Sequence, residues 1–312
     1  MELNEILSST FNKTKKAFLL FDAGYTRRDV ANWVTNGNYG FAHNIWKKWN
    51  TLQTGATENE PINISPFEFT FNRTFGIELE IYGADHTRLI NEFAAQGITL
   101  VSEEYNHSVR THWKIVHDGS VTGPNACEIV SPVLQGAEGL DVLKRATIAL
   151  RKADAKVNNS CGFHVHFGVS DFTLDNFKML AKNHIKLEGG FDKLVPESRR
   201  ENKNTYCQGL KMNRSASYIN SKINQAQTIG EFVNIFHSRY LKLNFQSYTR
   251  QGTVEVRHHS GTTTYSKIKN WILICARLIE FSKASRFANN LNEILNDTLK
   301  EYTEDRAIDL AA

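Results

Sequence analysis

Two glutamates alternate with aliphatic residues in the segment Phe75-Gly-Ile-Glu-Leu-Glu-Ile81. Successive side chains of a β-strand point to opposite faces, so this pattern predicts a strand with Glu78 and Glu80 on the same face. Neighbouring carboxylates repel each other unless solvent screens them or cations neutralise them. The pair therefore indicates either a solvated strand face or part of a cation site.

Two histidines show the same spacing in Gly162-Phe-His-Val-His-Phe-Gly168. The alternation predicts a strand with His164 and His166 on one face and three apolar side chains on the other. Two imidazoles at this spacing can ligate one metal ion or contact one anion. Taken alone, the motif is slightly more typical of two half-exposed strand histidines than of a binding site.

A third strand is predicted in Gly252-Thr-Val-Glu-Val-Arg-His-His-Ser260, with Glu255, Arg257 and His259 on one face. A carboxylate and a guanidinium two residues apart form either an exposed ion pair or a metal ligand beside a phosphate-binding group. Glu128 begins a fourth predicted strand, which Pro132 ends, and Asp118-Gly-Ser120 forms a polar turn.

These strands would combine into a sheet with one apolar and one polar face, as antiparallel sheets commonly have. A solvated face normally mixes Lys, Thr, Ser and Gln, whereas this one is dominated by Glu and His. Divalent cations and the phosphates that they carry explain that composition better, because Mg²⁺ prefers carboxylate oxygens together with substrate phosphates. Neither the P-loop signature nor Gly-x-Gly-x-x-Gly occurs in the chain.

The ordered set of motifs resembles the amidoligase family of carboxylate–amine ligases, which is related to glutamine synthetase and glutamate–cysteine ligase. The motifs are Glu-x-Glu, Asp-Gly-Ser, Glu-x-Val-Ser-Pro, Cys-Gly-x-His-Val-His, Arg-Tyr-x-x-Leu-Asn and Thr-Val-Glu-x-Arg, between about Arg73 and Ile279. The strand pattern predicts an α+β fold with a curved antiparallel sheet and helices on its apolar face, and the resemblance implies that this sheet is of the glutamine synthetase type. It also implies an ATP- and Mg²⁺-dependent ligase that forms an amide or isopeptide bond through an acyl phosphate.

The resemblance further assigns roles to individual residues. The expected ligands of two or three Mg²⁺ or Mn²⁺ ions are Glu78, Glu80, Glu128, His164 and Glu255. The expected contacts to ATP or to a substrate carboxylate are His166, Arg257, Arg199, Arg200, Tyr206, Arg239 and Asn244. Arg257 would also stabilise the transferred phosphoryl group, and the base that deprotonates the amine would be Glu78 or Asp118.

Two other functions stay open from the sequence. The first is a non-ATP metalloenzyme that holds iron with His164, His166 and a carboxylate. The second is a DNA-binding protein whose ligase-like domain is inactive. For the ligase, the substrates are a carboxylate and an amine of unknown identity, and a macromolecule such as a peptide or a modified nucleic acid fits as acceptor.

The elements outside the motifs predict the domain organisation. Residues 1–50 read as three short helices with a glycine-containing turn, which resembles a helix-turn-helix module. The basic residues within 10–50 could contact nucleic acid. Alternatively, the module could be a helical platform that binds protein. A polar linker over 51–72, a catalytic domain over 73–285 and a C-terminal helical tail over 286–312 complete the prediction.

Composition sets the remaining bounds. The 312 residues include 37 Lys and Arg against 33 Asp and Glu, a formal net charge of +4 that permits an anionic partner without requiring one. The four cysteines are far apart, so neither a zinc knuckle nor a disulfide framework is indicated. No apolar run approaches the roughly 20 residues that span a bilayer, and no signal peptide is recognisable. We therefore expect a cytoplasmic protein with no membrane partner.

Overall fold

The computed structural model describes residues 2–54, 67 and 69–311. The chain divides into two compact units, Met1–Ser65 and Pro66–Ala312. Most of the predicted linker, residues 55–66 and 68, lies outside the described residues. None of the described helices combines the length and the apolar character that crossing a membrane requires.

The first unit is helical. Its helices are α1 (Leu3–Ser8), α2 (Lys13–Asp22), α3 (Arg27–Trp33) and α4 (Tyr39–Thr54). The first of these precedes the three that the sequence pattern predicts. The α2–α3 turn contains Gly24 at φ +85°, and the Thr26 side chain caps α3 by accepting a hydrogen bond from the Asp29 amide. Buried aliphatic and aromatic side chains of all four helices form a small core of their own.

The second unit mixes strands and helices. In chain order its elements are β1 (Thr74–Ile81), α5 (His86–Ala95), β2 (Leu100–Ser102), β3 (Trp113–Val116), β4 (Cys127–Val130), β5 (Leu134–Gln135), α6 (Gly136–Lys152), β6 (Gly162–Gly168), α7 (Leu174–Asp192), α8 (Ala216–Gln225), α9 (Ile229–Ile235), β7 (Leu243–Asn244), α10 (Ser247–Gln251), β8 (Thr253–Ser260), α11 (Tyr265–Lys283) and α12 (Asp297–Asp309). Short 3₁₀ turns lie at Glu197–Arg199 and Leu291–Glu293.

The strands form one eight-stranded sheet in the order β2-β3-β4-β1-β6-β8-β7, with β5 paired to one end of β1. The predicted α+β class is confirmed. The prediction of an antiparallel sheet is wrong for one pair, because β2 runs parallel to β3 and the sheet is therefore mixed. The strands that carry the motifs, β1, β4, β6 and β8, pair antiparallel with their neighbours.

The apolar face of the sheet belongs to the core. Ile77 and Leu79 on β1, Val165 on β6 and Val254 on β8 are buried in one cluster with side chains from α5, α6, α7 and α11. Burying these side chains on one face leaves the intervening residues on the other face, as the alternation predicts. In the predicted C-terminal tail, Leu299 of α12 joins the same core.

Candidate active site

The strand registers bring the predicted polar residues face to face. On either side of the central strand β1, Glu78 lies opposite His164 of β6 and Glu80 lies opposite Glu128 of β4. On the next pair, His166 of β6 lies opposite Glu255 of β8. Directly opposed residues on an antiparallel pair have side chains within contact distance. Backbone pairing alone therefore assembles the cluster from four distant segments of the chain.

His164 lies at the centre of this cluster. Its Nδ1 is 3.2 Å from Glu78 Oε2 and 3.7 Å from Glu255 Oε1, and its Nε2 is 3.6 Å from Glu80 Oε1. Two sets of three side chains bring one ligand atom each to within 4.8 Å of one another. Each set could hold a metal ion, and these candidates are named the first cation site (Glu78, His164 and Glu255) and the second cation site (Glu80, Glu128 and His164).

The charges in the cluster are unbalanced. Burial and the nearby carboxylates of Glu78 and Glu80 raise the pKa of Glu128 well above its usual value. Burial also works against ionised Glu78, but the charges of His166 and His164 and the hydrogen bonds from them hold its pKa well below the usual value. Four carboxylates thus face two imidazoles and the Arg257 guanidinium. Divalent cations fit this set, because carboxylate and imidazole donors are present and the charges of Glu78 and Glu80 outweigh that of Arg257 at Glu128.

Gly162 leaves the space that the second cation site needs. Its backbone amide donates a hydrogen bond to Glu80 Oε2 at 2.5 Å. A Cβ atom at this position would lie 2.7 Å from His164 Nε2 and 3.3 Å from both Glu80 Oε2 and the Arg199 guanidinium. Any larger residue would therefore displace His164, whose ring contributes to both cation sites.

The substitution Gly162→Ala is accordingly expected to lower the affinity for Mn²⁺ by about tenfold or more, as changes next to metal ligands typically do. Electron paramagnetic resonance of free Mn²⁺ in a titration measures this affinity. Gly189→Ala is the matched control, because nothing lies within 4 Å of a Cβ at that glycine. Wild-type Mn²⁺ binding by folded Gly162→Ala would show that the cluster is not a cation site.

Two of the predicted anion contacts, Asn244 and His166, lie next to carboxylates of the cluster. Asn244 donates from Nδ2 to Glu255 Oε2 at 2.7 Å, and its Oδ1 accepts from the Gln246 amide. His166 lies with Nε2 3.2 Å from Glu78 Oε1 and with Nδ1 3.1 Å from the Thr253 hydroxyl. Burial works against protonated His166, yet the carboxylates of Glu78 and Glu255 outweigh it and raise its pKa.

Two cavities open beside the cluster. The first has a volume of about 660 Å³, and its basic lining residues are Arg199, Lys203, Arg239 and Arg257, with Tyr206 beside them. The second, of about 420 Å³, lies along Glu78, Glu128 and His166 and is partly walled by residues 105–109. Five residues line both cavities, namely Tyr105, Asp118, His164, Arg239 and Arg257.

The side chains of the neighbouring residues Arg199 and Arg200 have different environments. Arg199 is buried, donates to the Cys161 carbonyl at 2.8 Å, and its Nε has no hydrogen-bond partner among the described residues. Arg200 donates to the Val195 carbonyl and lines neither of these two cavities. Of these two arginines, only Arg199 therefore lines the first cavity.

Arg257 connects the cluster to the first cavity. Its guanidinium pairs with Glu255, and its Nε donates to the Tyr206 carbonyl at 3.4 Å. Burial disfavours the charged guanidinium of Arg257, but the carboxylates of Glu255 and Glu78 outweigh the effect of burial and raise the pKa of Arg257. The carboxylate of Glu255 is reciprocally affected, since Arg257 and His166 outweigh the effect of burial and lower its pKa.

The predicted position of His259 is wrong. The β6–β8 register shifts between Phe163 and Val165, so that one extra residue of β8 lies between Val256 and His259. Such a bulge reverses the alternation beyond it. His259 consequently packs edge-on against Phe163 and at a tilt against Trp271, on the apolar side.

Sequence reasoning also missed Lys114. This buried lysine of β3 lines the second cavity, and its Nζ donates to the Asn106 carbonyl at 3.0 Å, to Asn106 Oδ1 at 2.9 Å and to the Ser108 carbonyl at 3.0 Å. It thereby fixes the segment that walls the second cavity. The available signal was a single lysine within the apolar stretch Trp113-Lys-Ile-Val116.

Comparison with known proteins identifies a family. A family model described as "Putative amidoligase enzyme" matches residues 71–279, about two thirds of the chain and all of the cluster. No curated protein sequence matches the chain at a significant level.

Proposed function

The chain belongs to the amidoligase family, and from that premise we propose that it is an ATP- and Mg²⁺-dependent ligase that joins a carboxylate to an amine. The family membership supports an enzyme that forms amide bonds. The observation that carries the rest is the cluster of four carboxylates, two imidazoles and Arg257 between two cavities. Cations and a transferable phosphoryl group suit that arrangement.

Residues of both cation sites would hold the Mg²⁺ or Mn²⁺ ions, namely Glu78, Glu80, Glu128, His164 and Glu255. Bound there, divalent cations supply positive charge that offsets the charge of a triphosphate. The first cavity suits the triphosphate itself, because Arg199, Lys203, Arg239 and Arg257 line it. The second cavity then remains for the acid substrate, whose reacting carboxylate would lie at the boundary that His164 and Arg257 share.

The reaction needs activation because a carboxylate loses oxide too poorly to condense with an amine in water. A carboxylate oxygen attacks the γ-phosphorus of ATP, the bond to the β-phosphate oxygen breaks, and ADP leaves. The amine nitrogen then attacks the acyl carbon of the acyl phosphate, inorganic phosphate leaves, and the nitrogen loses a proton. Arg257 stabilises charge on the transferred phosphoryl group, and the protein acts by position and electrostatics.

The structure favours Asp118 over Glu78 as the group that receives the proton. Both oxygens of Glu78 lie 3.2 Å from imidazole nitrogens, and its lowered pKa makes it a weak base. Asp118 Oδ1 accepts two hydrogen bonds from Ser120, whereas its other oxygen has no hydrogen-bond partner among the described residues. Because Asp118 lines both cavities, we assign it to bind the substrate ammonium and to deprotonate it.

Asp118→Asn is expected to reduce amide formation by about 10²-fold, the lower end of what a general base contributes. Hydroxylamine is already uncharged at neutral pH and captures acyl phosphates as hydroxamates. Hydroxamate formation by Asp118→Asn should therefore stay near the wild-type rate while amide formation falls, with mass spectrometry measuring both products. Equal losses of the two products would contradict the assignment.

The proposed function is tested by incubating the protein with Mg-ATP, pooled carboxylic acids and hydroxylamine or pooled amines. The expected result is ADP together with a product whose mass equals the sum of acid and amine minus water. Absence of ADP and of any hydroxamate would contradict the ligase. Purified protein with bound iron and no affinity for nucleotide would favour the alternative metalloenzyme, a function that leaves Arg199 and Arg257 without a role.

For the helical unit we propose contact with nucleic acid. Residues 1–54 contain seven Lys and Arg against four Asp and Glu, so most of the net charge of the chain lies there. Arg28, Lys47 and Lys48 are exposed, as are the aromatic side chains of Trp33 and Phe41. Exposed basic groups neutralise the phosphates of duplexes and single strands alike, whereas exposed aromatic rings stack on bases only where those bases are unpaired.

Replacing Lys47 and Lys48 of the full chain by glutamate is expected to weaken binding of a DNA duplex. The slope of log affinity against log salt should fall by about two, because each lysine that neutralises a phosphate adds about one unit to that slope. Fluorescence anisotropy at several salt concentrations measures the slope, and Lys144→Glu with Lys211→Glu provides the same charge change in the other unit. Equal slopes for the two double variants would contradict this interaction.

A further inference from the structure

A buried ionic cluster lies beneath the first cavity and has no part in the chemistry proposed above. The side chain of Lys242 is fully buried, with Nζ 3.1 Å from Glu188 Oε1 and 2.6 Å from Asp192 Oδ1. The two acids are one helical turn apart on α7. Burying such charges costs more than their attraction commonly returns, so a stabilising role explains the cluster poorly.

Glu188 and Asp192, the acidic partners of Lys242, contact residues 201–209, a segment that forms one wall of the first cavity. Asp192 Oδ2 accepts a hydrogen bond from the Glu201 amide at 3.0 Å, at the start of this segment. At its end, a Cβ on Gly209 would lie 2.5 Å from Glu188 Oε1, so the glycine backbone packs directly on that carboxylate. Between these two anchors are the lining residues Lys203, Asn204, Thr205 and Tyr206.

Lys242 also connects this segment to Arg257 through the backbone. Its amide donates to the Gln208 carbonyl at 2.7 Å, and its own carbonyl accepts from the Arg257 amide at 2.9 Å. Asp192 Oδ1 lies 2.7 Å from Nε2 of His258, the residue after Arg257. The ionic cluster therefore contacts both the cavity wall and the strand that carries the guanidinium.

We propose that the Asp192–Lys242 pair is a positioning device that sets residues 201–209 against Arg257 so that the first cavity fits a nucleoside triphosphate. The proposal rests on the proposed function, since it assigns the nucleotide to that cavity. Neither residue lines the first or the second cavity, so both act through other residues. The pair makes no direct contact with the cation sites, because none of their side chains hydrogen-bonds or ion-pairs with Asp192 or Lys242 among the described residues.

Asp192→Asn removes the charge opposite Lys242 and keeps the size and an acceptor for the Glu201 amide. Its dissociation constant for AMP-PNP in saturating Mn²⁺, measured by calorimetry, is expected to rise about tenfold or more, because small displacements in such sites have large effects. Mn²⁺ affinity without nucleotide should equal that of the wild type. If Asp192 contributed only to stability, its replacement would not weaken AMP-PNP binding while leaving Mn²⁺ binding unchanged.

Asp171→Asn is the matched control, because Asp171 pairs with Arg73 and Lys283 away from the first cavity. It should bind AMP-PNP as the wild type does, even if its melting temperature falls as far as that of Asp192→Asn. Should Asp192→Asn not fold, the triple variant Glu188→Gln, Asp192→Asn, Lys242→Met removes all three charges together. A folded triple variant with weakened AMP-PNP binding and normal Mn²⁺ binding is again the expected result.

Wild-type AMP-PNP affinity in either folded variant would overturn the positioning role and leave the ligase untouched. Parallel loss of Mn²⁺ and AMP-PNP affinity would also overturn it, since the disturbance would then extend to the cation sites. Failure of the wild type itself to bind AMP-PNP would refute the proposed function and this inference together.

Discussion

Glu80→Gln is expected to lower kcat/KM of the ATP-dependent reaction by about 10³-fold, a loss of about 4 kcal/mol of transition-state stabilisation. Glu80 lies opposite Glu128 in the sheet and 3.6 Å from His164, so it belongs to the second cation site. The amide retains the shape of the side chain and an acceptor for the Gly162 amide, but it removes an anionic ligand. The fold should therefore persist while the cation and the phosphoryl transfer that depends on it are lost.

ADP release over a range of Mg-ATP concentrations measures kcat/KM, and circular dichroism verifies the fold. Glu280→Gln is the matched control, because Glu280 is likewise an ion-paired carboxylate, joined to Arg73 outside the cluster. The control should retain turnover. Turnover by Glu80→Gln at the rate of the control would refute the assignment of the cluster to catalysis.

Arg257→Lys should lower kcat by about 10²-fold, as expected when a preorganised donor to developing charge is removed. Lysine keeps the positive charge, but it lacks the planar fork with which arginine contacts Glu255, the Tyr206 carbonyl and a phosphoryl group together. Mn²⁺ affinity should change little, because Arg257 is not a member of either cation site.

Steady-state ADP release and a Mn²⁺ titration separate the two effects. Arg145→Lys on α6 supplies the comparison, since Arg145 pairs with Asp141 and donates to the Gln96 carbonyl away from both cavities. That variant should have the wild-type kcat. An Arg257→Lys variant as active as Arg145→Lys would mean that Arg257 only neutralises Glu255.

The central part of the site follows from local pattern alone. Alternation over a few residues identifies β1, β6 and β8 and assigns Glu78, His164 and Glu255 to the polar face. Antiparallel pairing then places these residues next to one another. A two-residue period combined with one buried face leaves no other arrangement of the side chains.

The alternation loses its predictive value at irregular backbone. The bulge after Val256 turns His259 toward the core, and nothing in a run of polar residues reveals the extra residue. Likewise, only the 3₁₀ turn Glu197–Arg199 decides that Arg199 is buried near the cluster while its neighbour Arg200 is directed to the Val195 carbonyl.

Contacts between distant segments of the chain could not be predicted from the sequence either. Lys114 and Lys242 each lie in a short strand or strand-like segment and are buried against partner residues elsewhere in the chain. The alternation of residues within one strand does not identify these partners. The parallel pairing of β2 with β3 has the same cause, since a three-residue strand carries too short a pattern to specify its partner. Tertiary packing decides such positions.

The central claim is that the glutamate and histidine side chains of the sheet hold cations for a nucleotide. It is tested most directly by titrating the wild-type protein with Mn²⁺ and then with AMP-PNP, once in the presence of EDTA and once in its absence. We expect two bound Mn²⁺ ions per chain, one for each set of three ligands, and one AMP-PNP that binds only while Mn²⁺ is present. Protein that takes up no Mn²⁺, or that binds AMP-PNP equally well in EDTA, would contradict the proposed site.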